Sequence, residues 1–423
     1  MAGRLRNLVV DLSPLRNRQF RLWWTGQTIS AVGTTLTRVA IPYEVYKLTG
    51  SSLWVGVLGG VSLVPYLAGG LIGGAIADAH DRRRISLMIS VVSAVASAAL
   101  ALNAASADLV WMIFVLSVLR TAAQAVGSPA SRSAVPLIVP ATDLPSAAAL
   151  QSVSYSVSFV LGPAIGGVLL GVIGLTGVYL VDALTFVAPL ITWSLMKPLP
   201  PVEGAAPPSR ASILEGLKLL RGKPVLIGAF VADLDAMIFG MPTALFPALV
   251  DQRFGGSETM LGLLAAAPFA GALVASVSSG WCKRIVRQGL AVCVCVAAWG
   301  VAIVGFGLVD TRAMSLLTLA IAGAADMISG VFRQSILQTA TPKEMLGRME
   351  GVGMAVWTSG PALGDLEAGG VAAVTSVDAS VVIGGVGCVV GVGLIAALLP
   401  GFASYVKPGA AAGEALEEAP APA

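Results

Sequence analysis

The residues with the most chemistry to offer are charges set in apolar surroundings. Arg38, Arg120, Asp182, Asp233, Asp235, Asp326, Arg333, Asp365 and Glu367 all interrupt long runs of Ala, Val, Leu, Ile and Gly. A charge in hydrocarbon is expensive, so each must face protein or water, pair with an opposite charge, or carry a proton. A carboxyl group at depth suits the last role, because desolvation favours its neutral form and a nearby arginine its charged form. Asp182, in VYLVDALTFV, and Asp235, in FVADLDAMIF, are the leading proton carriers, with Asp326 a third candidate. Asp326 and Arg333 are seven residues apart, so they share a helix face with their backbones about 10 Å apart. Static salt bridges, or the wall of a water-filled vestibule, would use the same residues. Asp365 and Glu367, in GPALGDLEAGG, rank below the others.

Several other chemistries are poorly served. The four cysteines, Cys282, Cys293, Cys295 and Cys388, form no C-x-x-C pair, and His80 is the only histidine. A metal or haem site therefore has almost no ligands to draw on, and no metal or other cofactor is expected. There is no GxxxxGK[ST] loop for ATP. The net charge of +3 is too small to indicate a nucleic-acid partner.

The elements that must position these charges follow from composition. Only 12% of the 423 residues are charged and 56% are hydrophobic, with a mean hydropathy of +0.85. A soluble domain carries roughly 25% charged residues. The expectation is an all-α polytopic membrane protein, each span needing about 20 apolar residues. Apolar segments fall at about 20–45, 52–77, 85–106, 109–131, 147–171 and 174–196. After a polar stretch, six more fall at about 224–250, 258–281, 288–309, 313–338, 349–372 and 377–403. The basic N-terminus is interrupted by Asp11 and Pro14 before the first segment continues at full membrane-spanning length, which speaks against a cleaved signal peptide.

Charge in the loops supports this count. With the N-terminus in the cytoplasm, 20 basic residues fall on the cytoplasmic side and only Lys47, Arg253 and Arg312 on the other. Such a bias, alternating through twelve segments, is the positive-inside pattern and places both termini in the cytoplasm. The expected organisation is a cytoplasmic segment 1–19, a six-helix bundle 20–196, a central cytoplasmic loop 197–223, a second six-helix bundle 224–403 and a disordered cytoplasmic tail 404–423. Each half carries a short basic loop after its second segment, DAHDRRR in the first and CKRIVRQ in the second. This weak repeat suggests two pseudo-symmetric halves with a substrate path between them, a common transporter plan.

Three motifs carry a family resemblance. Gly74-Ala75-Ile76-Ala77-Asp78-Ala79-His80-Asp81-Arg82-Arg83 resembles the G-x-x-x-D-R/K-x-G-R/K-R/K signature of the major facilitator superfamily. Gly74, Asp78, Arg82 and Arg83 match; Ala79 and Asp81 depart from the pattern. Asp78 at a membrane edge suits pairing with an arginine or a helix N-terminus that changes between conformations, while the arginines also anchor topology. In the fifth segment, Gly162-Pro163-Ala164-Ile165-Gly166-Gly167 resembles the G-P-x-x-G-G core of the superfamily's antiporter motif, with Ser158 where an earlier glycine is usual. Small residues at i,i+4 spacing allow close helix approach, and Pro163 loosens the helix; a generic packing seam would look similar. Arg120-Thr121-Ala122-Ala123-Gln124 resembles the R-x-x-Q-G pattern, with Ala125 in the glycine position. In the superfamily this arginine is associated with proton coupling; a structural ion pair or a snorkelling side chain is the alternative.

From about Leu12 to Phe402 the chain resembles the enterobactin (catecholate siderophore) exporter branch of that superfamily. SPLRNRQFRLWWTGQTIS, VAIPYEVYKLTGSSLWVG and GGLIGGAIADAHDRRR carry this, and most specifically Ser335 to Arg348, SILQTATPKEMLGR. The resemblance implies a twelve-helix, proton-driven exporter in a bacterial cytoplasmic membrane, working as a monomer on a small molecule. It implies gating roles for Gly74, Asp78, Arg82, Arg83, Gly162, Pro163, Gly166, Gly167 and Arg348, and coupling through Arg120. Arg38 and Arg333 would attract an anionic catecholate. Tyr155 and Trp357 would meet its rings, unless they serve only packing. The same branch contains broad drug exporters.

Overall fold

The computed structural model describes residues 11–200, 220, 222–342 and 345–407. Among them the chain is helical, without strands, and every apolar segment of the sequence is helical. The first helices are α1 (Arg18–Thr49), α2 (Ser52–Ala79), α3 (Arg82–Ser106) and α4 (Val110–Ile138). Next come α5 (Leu144–Thr185), α6 (Val187–Leu195), α7 (Pro224–Phe239), α8 (Phe246–Phe254) and α9 (Glu258–Ser278). The chain continues with α10 (Gln288–Leu308), α11 (Arg312–Ala340), α12 (Leu346–Val374), α13 (Val377–Leu398) and the short α14 (Pro400–Ala403). Nine helical stretches among the described residues are long and apolar enough to cross a membrane.

Helix ends follow local chemistry. Asn17 caps α1 by accepting from Gln19 N at 2.9 Å, and Ser376 caps α13 by accepting from Ala379 N at 3.1 Å. Gly50 ends α1 in the left-handed conformation, φ 64°. Ahead of α1, Asp11 accepts hydrogen bonds from the Ser13 hydroxyl and N–H and from Ser146, which hold its carboxyl below the ordinary range.

A continuous 42-residue helix would run about 63 Å, twice a bilayer's hydrocarbon core. Instead α5 breaks at Gly174, whose φ of 67° and ψ of −177° are not helical. Contacts with α1 show that the chain reverses there. Trp24 Nε1 donates to Leu150 O at 3.1 Å, the Thr28 and Ser154 hydroxyls meet at 2.6 Å, and Thr35 Oγ1 donates to Ser158 O at 2.9 Å. The first arm thus climbs alongside α1. Beyond Gly174 the order inverts: Tyr179 reaches Glu44, Thr185 lies against Gly33, and Thr192 lies against Gly26. The segments read as fifth and sixth are therefore two antiparallel helices joined with almost no loop. Gly174→Ala is expected to cost about 1–3 kcal/mol, because that backbone region is essentially reserved for glycine. Nothing lies within 4 Å of a Cβ placed there, so the loss reports backbone strain alone. Thermal unfolding of the purified protein checks this.

The segment read as one span over 224–250 is interrupted. Gly240 and Pro242 end α7, a 3-10 turn over Thr243–Leu245 follows, and α8 starts at Phe246. Proline lacks the N–H that would continue the ladder. Trp299 Nε1 takes up the Gly240 carbonyl at 2.7 Å. Asp365 accepts from Thr243 Oγ1, and from Ala244 N at 2.9 Å, so it holds this turn.

Contacts group the chain into two compact units. One comprises residues 11–54, 61–200 and 250–266; the other comprises 55–60, 222–249, 267–342 and 345–407. In the first, α1 packs against both arms of α5 and against α6, with Phe20, Trp23 and Trp193 buried together. In the second, α7 packs against α10, α12 and α13. The expected central loop lies mostly outside the described residues, as do the expected tail beyond 407 and the side chains of Gly74, Asp78 and Arg348.

Candidate functional site

Four helices of the first unit each deliver one polar side chain to a single buried point. Asp182, on the second arm of α5, is wholly inaccessible. Its Oδ2 lies 2.6 Å from Arg120 Nη1 of α4. The same oxygen accepts from Thr37 Oγ1 of α1 at 2.6 Å and from Ser97 Oγ of α3 at 2.8 Å. Arg120 also donates to Ser97, and its guanidinium sits 6.0 Å from the Phe186 ring centroid. Gly33 makes the room: a Cβ there would lie 2.8 Å from Asp182 Oδ1. That oxygen has no hydrogen-bond partner. The arrangement is a compensated ion pair with one acceptor unused, which is a site able to exchange a proton if the pair opens. The sequence singled out both residues; the structure joins them.

The second unit holds a different cluster. Arg333 Nη2 donates to Asp326 Oδ1 at 3.3 Å, so side-chain reach closes the 10 Å separation expected from helix rise alone. Arg333 Nη1 lies 2.7 Å from Asp233 Oδ1 of α7, in ionic contact but too poorly aligned for a hydrogen bond. These three charges line a cavity of about 710 Å³ together with Gln334, Gln338 and Trp357. Arg333 and Trp357, both proposed from sequence for substrate, thus share one wall. Asp235 does not join them. Two residues on from Asp233, it faces the other side of α7, where Gly391 leaves room for its carboxylate. Sequence reasoning preferred Asp235 to Asp233, since nothing in FVADLDAMIF says which of the two faces an arginine.

The remaining expected residues fall in two places. Arg38 is exposed, its guanidinium 5.0 Å from the centroid of Phe159, and Phe159 stacks on Tyr155 at 4.2 Å. Arg38 and Tyr155 are therefore bridged by an aromatic ring that sequence reasoning did not select. At the other end of this unit, Arg83 donates to the carbonyls of Trp193 (2.8 Å) and Ser194 (2.7 Å), at the C-terminus of α6. Arg82 donates to Ser133 Oγ at 2.9 Å and to Pro200 O at 3.0 Å. Asp81, read from sequence as a departure from the motif's glycine, is the N-cap of α3 and accepts from Arg83 N (2.9 Å) and Leu199 N (3.0 Å).

The GPAIGG segment presents two faces. A Cβ on Gly162 would collide with Thr35, and one on Gly166 would lie 3.3 Å from Leu36 Cα; both look onto α1. Gly167 looks elsewhere: its Cβ would lie 2.7 Å from Gly262 Cα of α9. Gly167→Ala therefore presses on backbone that no side-chain change can relieve. A loss of about 1–3 kcal/mol in stability, unrescued by substitutions around it, is expected in thermal unfolding.

The sequence profile of a family described as "Transmembrane secretion effector" matches residues 9–412. The chain is similar to the enterobactin exporter EntS of Citrobacter koseri, 31% identical over 397 residues, 93% of this chain and 94% of that protein. It is 30% identical over 396 residues to the enterobactin exporter EntS of Escherichia coli O1:K1, covering 92% of this chain and 94% of that protein. Among solved structures, a variant of the nucleoside transporter NupG superposes with a TM-score of 0.76 at 11% identity, covering 90% of this chain and 99% of that one, which is a likeness of fold.

Proposed function

Since this chain belongs to the transmembrane secretion effector family of the major facilitator superfamily, and is thus a multi-pass membrane transporter of small molecules rather than an enzyme, we propose that it is a proton-driven exporter of a catecholate siderophore such as enterobactin. The observation that carries the coupling is the buried Arg120–Asp182 pair with its unused Asp182 oxygen. In this reading, protonation of Asp182 releases Arg120, and alternating access exposes the carboxyl to opposite sides in turn. The chain spans the bacterial cytoplasmic membrane twelve times in two halves, with both termini in the cytoplasm, and works as a monomer. The proton gradient is the only driving force it requires.

Substrate recognition falls to the Arg333 cavity and to Arg38. An anionic catechol would take Arg333 from Asp326 or Asp233 and lay a ring on Trp357. Losing a charge-assisted hydrogen bond costs about 1.5–3 kcal/mol, or about 10–100-fold in affinity. Arg333→Ala is expected to raise the apparent KM for an anionic catecholate by that factor and to change that for a neutral drug much less, as measured by uptake into inside-out vesicles. A second reading, broad drug efflux, draws on Met327 and Met354 in the same cavity wall, since flexible methionine suits varied apolar ligands.

Siderophore inside and outside iron-starved cells decides between them. A gene deletion should accumulate siderophore internally, and the restored gene should reverse this only without a proton uncoupler. An unchanged distribution would remove the siderophore and favour drug efflux.

A further inference from the structure

The antiparallel contact between α1 and the second arm of α5 carries two polar rungs. One is Thr37 to Asp182; the other is Glu44 to Tyr179. Thr37 and Glu44 are seven residues apart on α1, two turns along one face. Tyr179 and Asp182 are three apart on their helix, again on one face. Each rung contains one fully buried carboxylate. Each carboxylate has one oxygen hydrogen-bonded and one without a partner, Oδ1 in Asp182 and Oε1 in Glu44.

The Glu44 rung differs in its surroundings. Tyr179, itself fully buried, donates its phenolic O–H to Glu44 Oε2, and no arginine pairs with the acid among the ion pairs of the described residues. Glu44 instead lines a cleft of about 180 Å³ with Lys47, Asp108 and Thr176. The charged groups facing it are Lys47 from its own helix, Asp108 from the turn between α3 and α4, and, farther along the ladder, Arg120 and Asp182. Asp108 is held in the left-handed region, φ 47°, with its N–H on Asn103 O at 3.0 Å. Glu44 is inaccessible as the helices stand, so the cleft brings water to the edge of the carboxyl group and a local opening must complete the path.

We propose that Glu44 is a second proton-binding site of the transporter, loaded from this cleft and separate from the Arg120–Asp182 pair. A proton from cleft water is taken by the unpartnered Oε1, giving a neutral carboxyl, while Tyr179 keeps its own proton in the bond to Oε2. Release returns that proton to the same water. The inference rests on the proton-driven reading given above.

Infrared difference spectra of the purified protein in lipid nanodiscs, recorded between acidic and alkaline buffer, test it. Glu44→Gln should remove one carboxyl C=O band present in the unsubstituted protein. Glu44→Asp should restore a band at a shifted frequency, and Tyr179→Phe should shift the band without removing it. In proteoliposomes, Glu44→Gln should change the pH profile of gradient-driven efflux and leave enterobactin exchange at equal pH intact. Identical spectra and pH profiles for Glu44→Gln and the unsubstituted protein would overturn the proposal. If Asp182→Asn then still abolished gradient-driven efflux, the proton-driven reading would survive without Glu44. If the unsubstituted protein showed no response to a pH gradient, that broader reading would itself fail.

Discussion

Replacing Arg120 with methionine is expected to destabilise the protein by about 3–5 kcal/mol, the usual cost of leaving a buried charge without its partner. The magnitude follows from the site. Asp182 is wholly inaccessible, and after the change only the Thr37 and Ser97 hydroxyls remain on its Oδ2. Asp182→Leu should cost a similar amount, since it strands the guanidinium. The double replacement Arg120→Met with Asp182→Leu should recover most of the loss, because paired charges in an apolar interior contribute little net stability against apolar groups of similar size. Thermal unfolding of the four proteins forms the cycle that checks this. Transport separates stability from coupling: the double variant should be folded yet unable to drive efflux from a proton gradient. A double variant no more stable than either single one would show that the pair itself is not the source of the loss.

The second large effect is expected at Gly162. A Cβ there would lie 2.7 Å from Thr35 Cβ, and closer still to its hydroxyl oxygen. Two helices held at that separation cannot both keep their side chains. Gly162→Ala should cost about 1–3 kcal/mol by overpacking, with transport falling accordingly. Thr35→Gly removes the obstructing side chain, so the pair Gly162→Ala with Thr35→Gly should regain most of the packing. It would keep the penalty of a glycine inside α1, about 1 kcal/mol, and the loss of the Thr35–Ser158 hydrogen bond, about 1 kcal/mol more. Efflux and thermal unfolding of the single and paired variants are the measurements. Failure of Thr35→Gly to help would place the obstruction at the neighbouring Val32 carbonyl instead, 3.3 Å from the same Cβ.

Hydropathy made the helices legible because lipid demands long apolar runs, and the ends of α2, α3 and α13 agree with the sequence to within a few residues. Local signals that act over a few residues were harder to weigh. Gly240 and Pro242 sit inside a run that remains apolar across the break, so averaging over a span hid the interruption in α7. The Arg120–Asp182 site was half legible. Both residues stand out as charges at depth, but 62 positions separate them, and no pattern in one sequence says that four helices meet there. The Asp233–Arg333 contact depends on which way each neighbouring aspartate faces, which helical spacing alone leaves open. Glu44 escaped notice because it lies at the end of its apolar run, in YEVYK, where a glutamate reads as an interfacial residue. Its burial comes from Tyr179, 135 positions away, which only the reversal of α5 brings alongside.

That reversal also bears on how the protein is made. The residues around it, LLGVIGLTGV from Leu169 to Val178, contain no charge and one hydroxyl. Nothing there marks a boundary that a translocation channel could recognise as the end of one segment and the start of another. If the two arms enter the bilayer as one hairpin, the positive-inside rule would have it oriented by the basic residues flanking it, Arg132 before it and Lys197 after it. A charged tag spliced in at Gly174 would give that tip a surface preference it now lacks, and would disturb biogenesis before it disturbed transport.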